Sequence, residues 1–289
     1  MKLLNTPAPL GPVDGQPSGV SRRSFFKRVA LVGASAAVTG GALSTVASAL
    51  DNESLHEEEE RPNRRNLKAG DRAILVAAEI AEALAVTTYS NIIETSPFFK
   101  RIPSDDQGYL TAALQEEMSH YLLEQSVTDE LTPFTSFYYP FHMFEDAQTT
   151  LNTLVTLEDA FIAAYLVGVR NFSTTPLRVT AARIMGIESD HRTLARVVGP
   201  DVAKKDGGPI EMITGVLGVP ESVDPPNNNG YERTLCWTKI SQAVDALLPF
   251  VDADSAKAAG FDTSKSYPFE PFNPTLPNPL GDFISFKGC

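Results

Sequence analysis

The sequence predicts an all-α protein: a four-helix bundle with one long crossover, followed by a further helix and a proline-rich extended arm. Three observations carry this reading. Four stretches of about 24–29 residues repeat apolar side chains at three- and four-residue steps, the lengths usual for bundles. Two of the links between them are short, as antiparallel neighbours need, whereas the third holds about 12 residues and can span about 40 Å when extended. Finally, Glu82 and Glu158 interrupt apolar stripes that should face a core.

The first helix is read from Asp71 to about Glu94 through Ile74, Leu75, Ala78, Ala85, Tyr89 and Ile92, with Pro97 and Pro103 ending it. Ser104-Asp105-Asp106-Gln107 has the form of a capping box opening the second helix, which runs to about Glu130 before Pro133. An aromatic segment from Leu131 to His142 forms the crossover. The third helix covers about Met143 to Asn171. The fourth opens with Thr175 as cap and Pro176 in its first turn and is closed by Gly199-Pro200. Beyond it come a Gly- and Pro-rich stretch with at most a short helix at Ile210–Leu217, and a helix from about Glu232 to Phe250 with Trp237, Ile240, Val244 and Leu247 or Leu248 inward. Five prolines between Pro268 and Pro279 forbid a helical tail, and Phe269, Phe272 and Leu276 among them suit an arm laid against the bundle or a neighbouring subunit.

Composition sets the class. The 289 residues are 43% hydrophobic and 21% charged, enough for a real core, and the net charge is −12. Residues 50–289 alone carry 19 basic and 35 acidic residues, a balance that argues against nucleic-acid and anionic-membrane partners. Cys236 and Cys289 are too few for a disulfide scaffold or a Cys₄ site, and they leave one disulfide open. Residues 1–49 have the layout of an export signal: Arg22-Arg23 ahead of a weakly apolar run from Val29 to Val46, then Ala47-Ser48-Ala49. The paired arginines resemble the twin-arginine class, which implies passage through the twin-arginine translocase and a periplasmic or secreted product. Residues 50–70 read as a charged, solvated leader and no later segment as a membrane span. The domain plan is therefore 1–49 signal, 50–70 leader, 71–199 bundle, 200–253 loop and further helix, and 254–289 arm.

The chemistry lies on the buried faces. The second helix supplies Glu117-x-x-His120 and the fourth Glu188-x-x-His191, each pair on one helix face. With Glu82 and Glu158 they make four carboxylates and two imidazoles, all 11–17 residues into their helices, so the six converge near mid-bundle. An unpaired carboxylate in a core is costly, and two divalent cations offset four negative charges. Tyr89 follows Glu82, and Tyr165 follows Glu158, by seven residues in each case, so the two hairpins look like degenerate copies.

On these residues the stretch 71–199 resembles the ferritin-like superfamily, particularly its exported bacterial members. The resemblance implies a dinuclear iron or manganese centre held by Glu82, Glu117, His120, Glu158, Glu188 and His191. It further implies redox activity towards O₂ or peroxide, as ferroxidase, peroxide detoxification or a related oxidation. A non-enzymatic stress- or desiccation-related envelope protein with a structural or vestigial metal site is the alternative, and a metal-free helical interaction module a second. A homodimer is compatible with the arm.

Around that set, Glu79 is either a rival first-helix ligand or a supporting group. Tyr89 and Tyr165 read as partners of ligand carboxylates, as electron donors, or as ordinary core tyrosines. Glu116 and Asp159 point about 100° away from their neighbours and suit solvated or helix-packing roles. Glu124 suits a surface ion pair, although its spacing from Glu117 allows it to face inward. Asp190 is exposed or supports His191, His56 and His142 are non-ligands, and Cys236 is a buried helical thiol unless paired with Cys289.

Overall fold

The computed structural model describes residues 67–128, 134, 136–205 and 235–275, and side chains up to Val198 within the fourth helix. The signal, most of the leader with His56, the Ile210–Leu217 helix and Cys289 lie outside these residues. Four long helices, α1 (Ala69–Thr95), α2 (Ser104–Thr128), α3 (Ala147–Asn171) and α4 (Thr175–Lys205), form the bundle. Within the crossover, β1 (Ser136–Pro140) pairs antiparallel with β2 (Phe261–Pro268), which follows α5 (Ile240–Val251) and α6 (Ala253–Ala258).

The helix boundaries depart from the sequence reading where a local polar group outcompetes periodicity. α3 starts at Ala147, not Met143, because the Asp146 side chain accepts from Thr149 N at 2.7 Å and fixes the cap there. Ser104 and Thr175 are the first helical residues, not caps. Thr174 caps α4, its hydroxyl accepting from Leu177 N at 3.5 Å. α4 runs through Gly199-Pro200, since a proline removes one ladder hydrogen bond at a cost that a long helix can absorb. α5 begins at Ile240 because the Gln242 side chain accepts from Thr238 N and Lys239 N, so Leu235–Lys239 is irregular. Cys236 is therefore exposed and outside any helix, contrary to the buried-thiol reading. The expected non-helical stretch from residue 254 holds the short α6, capped by Asp252 ahead of the prolines.

The crossover is more structured than a plain extended link. Tyr139 is buried, its hydroxyl 3.0 Å from that of Thr88 on α1, and its ring packs edge-on against Phe144, Phe250 and Tyr267. This aromatic cluster fastens the β1–β2 ribbon and α5 to the bundle. The arm then lies on α2 of the same chain: Phe269 meets Tyr121 at 4.8 Å between ring centres, and Thr275 N donates to Gln115 Oε1 at 2.9 Å. At the other end Asp71 accepts from the Ser173 backbone and hydroxyl, tying the first turn of α1 to the α3–α4 link.

One expectation about membranes is corrected. α1 and α3 are each long and apolar enough, by length and composition, to span a bilayer. Most of that apolar surface is buried among the helices, because both are the inner helices carrying Glu82 and Glu158.

Asp159 has the helix-packing role. Its carboxylate meets Arg192 at 2.8 Å and Arg196 at 3.9 Å, both buried guanidinium groups on α4. Asp159→Ala is expected to lower stability by roughly 3 kcal/mol, because it leaves buried cations short of their counter-ion. Denaturant unfolding checks this, and adding Arg192→Met should return part of the loss.

Candidate metal centre

The heptad-spaced pairs place the site. Tyr89 on α1 donates to Glu158 Oε1 on α3 at 2.7 Å, and Tyr165 on α3 donates back to Glu82 Oε1 on α1. Each tyrosine thus serves the glutamate of the opposite hairpin. This reciprocal bond fixes one oxygen of each outer carboxylate and leaves its Oε2 facing the bundle centre. Of the roles open to them, both tyrosines take that of carboxylate partner.

Between the outer carboxylates stand the two Glu-x-x-His pairs. His120 Nδ1 lies 3.2 Å from Glu188 Oε1 and 3.6 Å from both Glu82 Oε2 and Glu117 Oε2. His191 Nδ1 lies 2.8 Å from Glu117 Oε1 and 3.4 Å from Glu188 Oε2. Glu117 and Glu188 therefore each turn one oxygen towards His120 and the other towards His191. Two groups of potential ligands result, Glu82, Glu117, His120 and Glu188 on one side and Glu117, Glu158, Glu188 and His191 on the other. Within each group, one ligand atom per residue lies within 4.8 Å of the others. All six residues singled out by the sequence are brought together, and Glu79 is in neither group.

The inward atoms test whether cations fit. Glu82 Oε2, both oxygens of Glu117 and Glu188, Glu158 Oε2 and Nδ1 of both histidines are buried and make no properly directed hydrogen bond. Close approaches such as the 2.8 Å between His191 and Glu117 fail on angle, as expected for donors aimed at a shared point rather than at one another. Buried polar atoms left this way are costly, and four carboxylates with two imidazoles are a set that divalent transition ions satisfy. The residues fit a metal centre.

Electrostatics in the metal-free chain follow from burial and crowding. Desolvation pushes the Glu82 and Glu158 carboxyls well above their usual range, and the neighbouring Glu117 and Glu188 charges push the same way. Desolvation also works against ionised Glu117, but the His191 charge and the close approach of both histidines and of Glu82 outweigh it and hold Glu117 low. For the histidines desolvation favours the neutral ring, yet the surrounding carboxylates prevail and raise both. Without cations, protons take part of the charge-balancing role.

Outside the six, the structure assigns groups that sequence periodicity misplaced. Glu116 accepts from or donates to the outer nitrogen of His191, with Nε2 at 2.8 Å from Oε2, which fixes the ring with Nδ1 inward. Helical phase set Glu116 off the ligand face, but it did not reveal that the adjacent α4 lies there. Glu124 is buried rather than in a surface pair, and its Oε1 lies 2.8 Å from the Tyr165 hydroxyl. One hydroxyl proton cannot serve both Glu82 and Glu124, so one carboxyl brings its own. Burial raises Glu124 and Glu82 alike well above the carboxylate range, so in the metal-free chain either can carry that proton, although the Tyr165 bond favours the charged form of Glu124. Glu79 is buried beside it, accepting from Thr128 at 3.0 Å. In the internal repeat Glu79 corresponds to Val155 and Glu124 to Ala195, so these extra acids flank only the His120 side. Asp190 is exposed, and His142 is an exposed turn residue paired with Glu145, away from the centre.

Burial lifts the Glu79 carboxyl to about 7, against the opposing bond from Thr128. The folded state then holds a proton that the unfolded chain has released, so stability is present below the ordinary carboxylate pKa and is lost as pH rises towards 7. Across that window the metal-free protein should lose about 3 kcal/mol from Glu79 alone. Chemical denaturation between pH 4.5 and 8 measures the slope, which Glu79→Gln should flatten.

Fold and site together define a helical bundle with a carboxylate- and histidine-rich cluster able to hold metal ions. Residues 70–199 match the family described as ferritin-like domain, and this part of the chain is a ferritin-like domain. No curated protein and no solved structure matches the chain.

Proposed function

We propose that the protein is an exported oxidoreductase whose ferritin-like domain holds two iron or manganese ions and reacts with O₂ or peroxide. One observation carries this reading: Glu117 and Glu188 each divide their two unpaired oxygens between two otherwise separate ligand groups. Glu82 and His120 complete one position, Glu158 and His191 the other. When bound, the two ions supply one-electron redox steps to the oxidant.

The chain's own residues do the rest. Tyr89 and Tyr165 orient the outer carboxylates through Oε1, Glu116 orients His191, and burial of all six ligands keeps bulk water from the centre. Glu124 holds a proton one bond from Glu82 through Tyr165, positioned to answer charge changes at the His120 side. All six ligand residues are in place, which favours a working centre over a vestige. The Arg22-Arg23 signal supports export by the twin-arginine translocase to the periplasm or beyond.

The test is stopped-flow oxidation of protein loaded with Fe²⁺ or Mn²⁺, mixed separately with O₂ and with hydrogen peroxide. Turnover with either oxidant that disappears in Glu117→Gln/Glu188→Gln supports the proposal. Bound metal without turnover would favour the stress-protein reading, with the ions as a structural staple.

A further inference from the structure

We propose that the apolar cavity between the end of α2 and the start of α4 is a binding site for dioxygen, through which O₂, unlike peroxide, reaches the centre. This inference rests on the dinuclear reading above. The cavity, open on one side, holds about 60 Å³ and is walled by hydrocarbon from Leu75, Leu123 and Ile184, with Thr180 also in its lining. At its base lie Glu124 and Tyr165, the pair whose hydroxyl contact continues to Glu82. One layer of side chains therefore separates the cavity from the His120 side of the centre.

The base presents little polarity to a guest. Glu124 Oε1 is engaged by Tyr165, and Oε2 is sealed from the cavity by burial. A cavity of this kind stays dry and takes up nonpolar guests such as xenon. Dioxygen has no hydrogen bonds to lose on entry, whereas hydrogen peroxide forfeits those of two hydroxyl groups, and aqueous metal ions forfeit far more. The volume admits a diatomic gas. In the oxidation this would feed, two Fe²⁺ each release one electron, and one O₂ takes both together with two protons and leaves as hydrogen peroxide. Peroxide used instead takes two electrons and two protons to give two waters.

The experiment pairs xenon binding with oxidant choice in the full mature chain, with iron content measured on every sample. Ala78→Leu fills the cavity from α1. Thr180→Leu narrows it from α4 and serves if the first variant does not fold. The expected result is a saturable ¹²⁹Xe shift in the wild type that is lost in the variant, with slower O₂-driven oxidation at unchanged iron content and unchanged peroxide-driven rate. Absence of xenon binding in iron-loaded wild type, or equal effects on both oxidants, would overturn the inference alone. Failure of the wild type to bind either iron or manganese would overturn the dinuclear reading and this inference with it.

Discussion

Glu117→Gln/Glu188→Gln should purify as a folded bundle that has lost all of its bound transition metal. Each side chain faces both ligand groups, so the pair supplies half of the donors at each position. Glutamine preserves shape and removes charge, which reduces the cost of burial because the desolvated carboxylates are replaced by neutral amides. The outer residues make the contrast. Glu82→Gln should weaken only the position shared with His120, and Glu158→Gln only that shared with His191, leaving about one ion per chain in each case. Equilibrium titration with Mn²⁺ or Co²⁺, read by electron paramagnetic resonance or absorbance, separates the patterns. Equal, partial losses in all three variants would mean that Glu117 and Glu188 are not shared.

Removal of the metal should produce the largest change in stability. With free metal a hundredfold above its dissociation constant, each ion stabilises the folded state by about 2.7 kcal/mol, so stripping even one lowers the midpoint by roughly 5–10 °C. The gap should widen as pH rises. In the stripped protein Glu82, Glu158 and Glu124 hold protons that the unfolded chain sheds, so their stabilisation fades above the ordinary carboxylate pKa. The raised histidines act in the same direction, contributing fully below their ordinary pKa and less as pH climbs through the folded value. Glu117 is held low and acts oppositely, but only in acid. Ligation instead releases protons and strengthens with pH. Thermal unfolding of loaded and chelated protein from pH 6 to 9 measures both curves. A constant gap would show that protons and cations do not compete for these side chains.

Much of this centre was legible in the sequence because helices carry positional information. A carboxylate on an apolar stripe announces burial, and the Glu-x-x-His spacing fixes which side chains share a face, so Glu82, Glu158 and both pairs were found without coordinates. The seven-residue Glu–Tyr spacing marked Tyr89 and Tyr165, although not that each would reach the opposite hairpin. What failed depended on neighbours that one helix cannot reveal. Glu116 reads only as solvated or helix-packing and Glu124 as a surface pair, because a single helix does not show that their faces meet α4 and α3. Periodicity likewise missed the β1–β2 ribbon, whose strands lie over 100 residues apart and whose register is set by aromatic contacts across that separation. Helix ends slipped where a single side chain, Asp146 or Gln242, stops the helix against the apolar pattern.

The most direct test of the central claim is the metal content of the mature protein recovered from its own export route, by elemental analysis against protein concentration. The expected result is about two Fe or Mn per chain, absent from Glu117→Gln/Glu188→Gln. A folded wild-type bundle with no transition metal, or with the same content as the double variant, would contradict it.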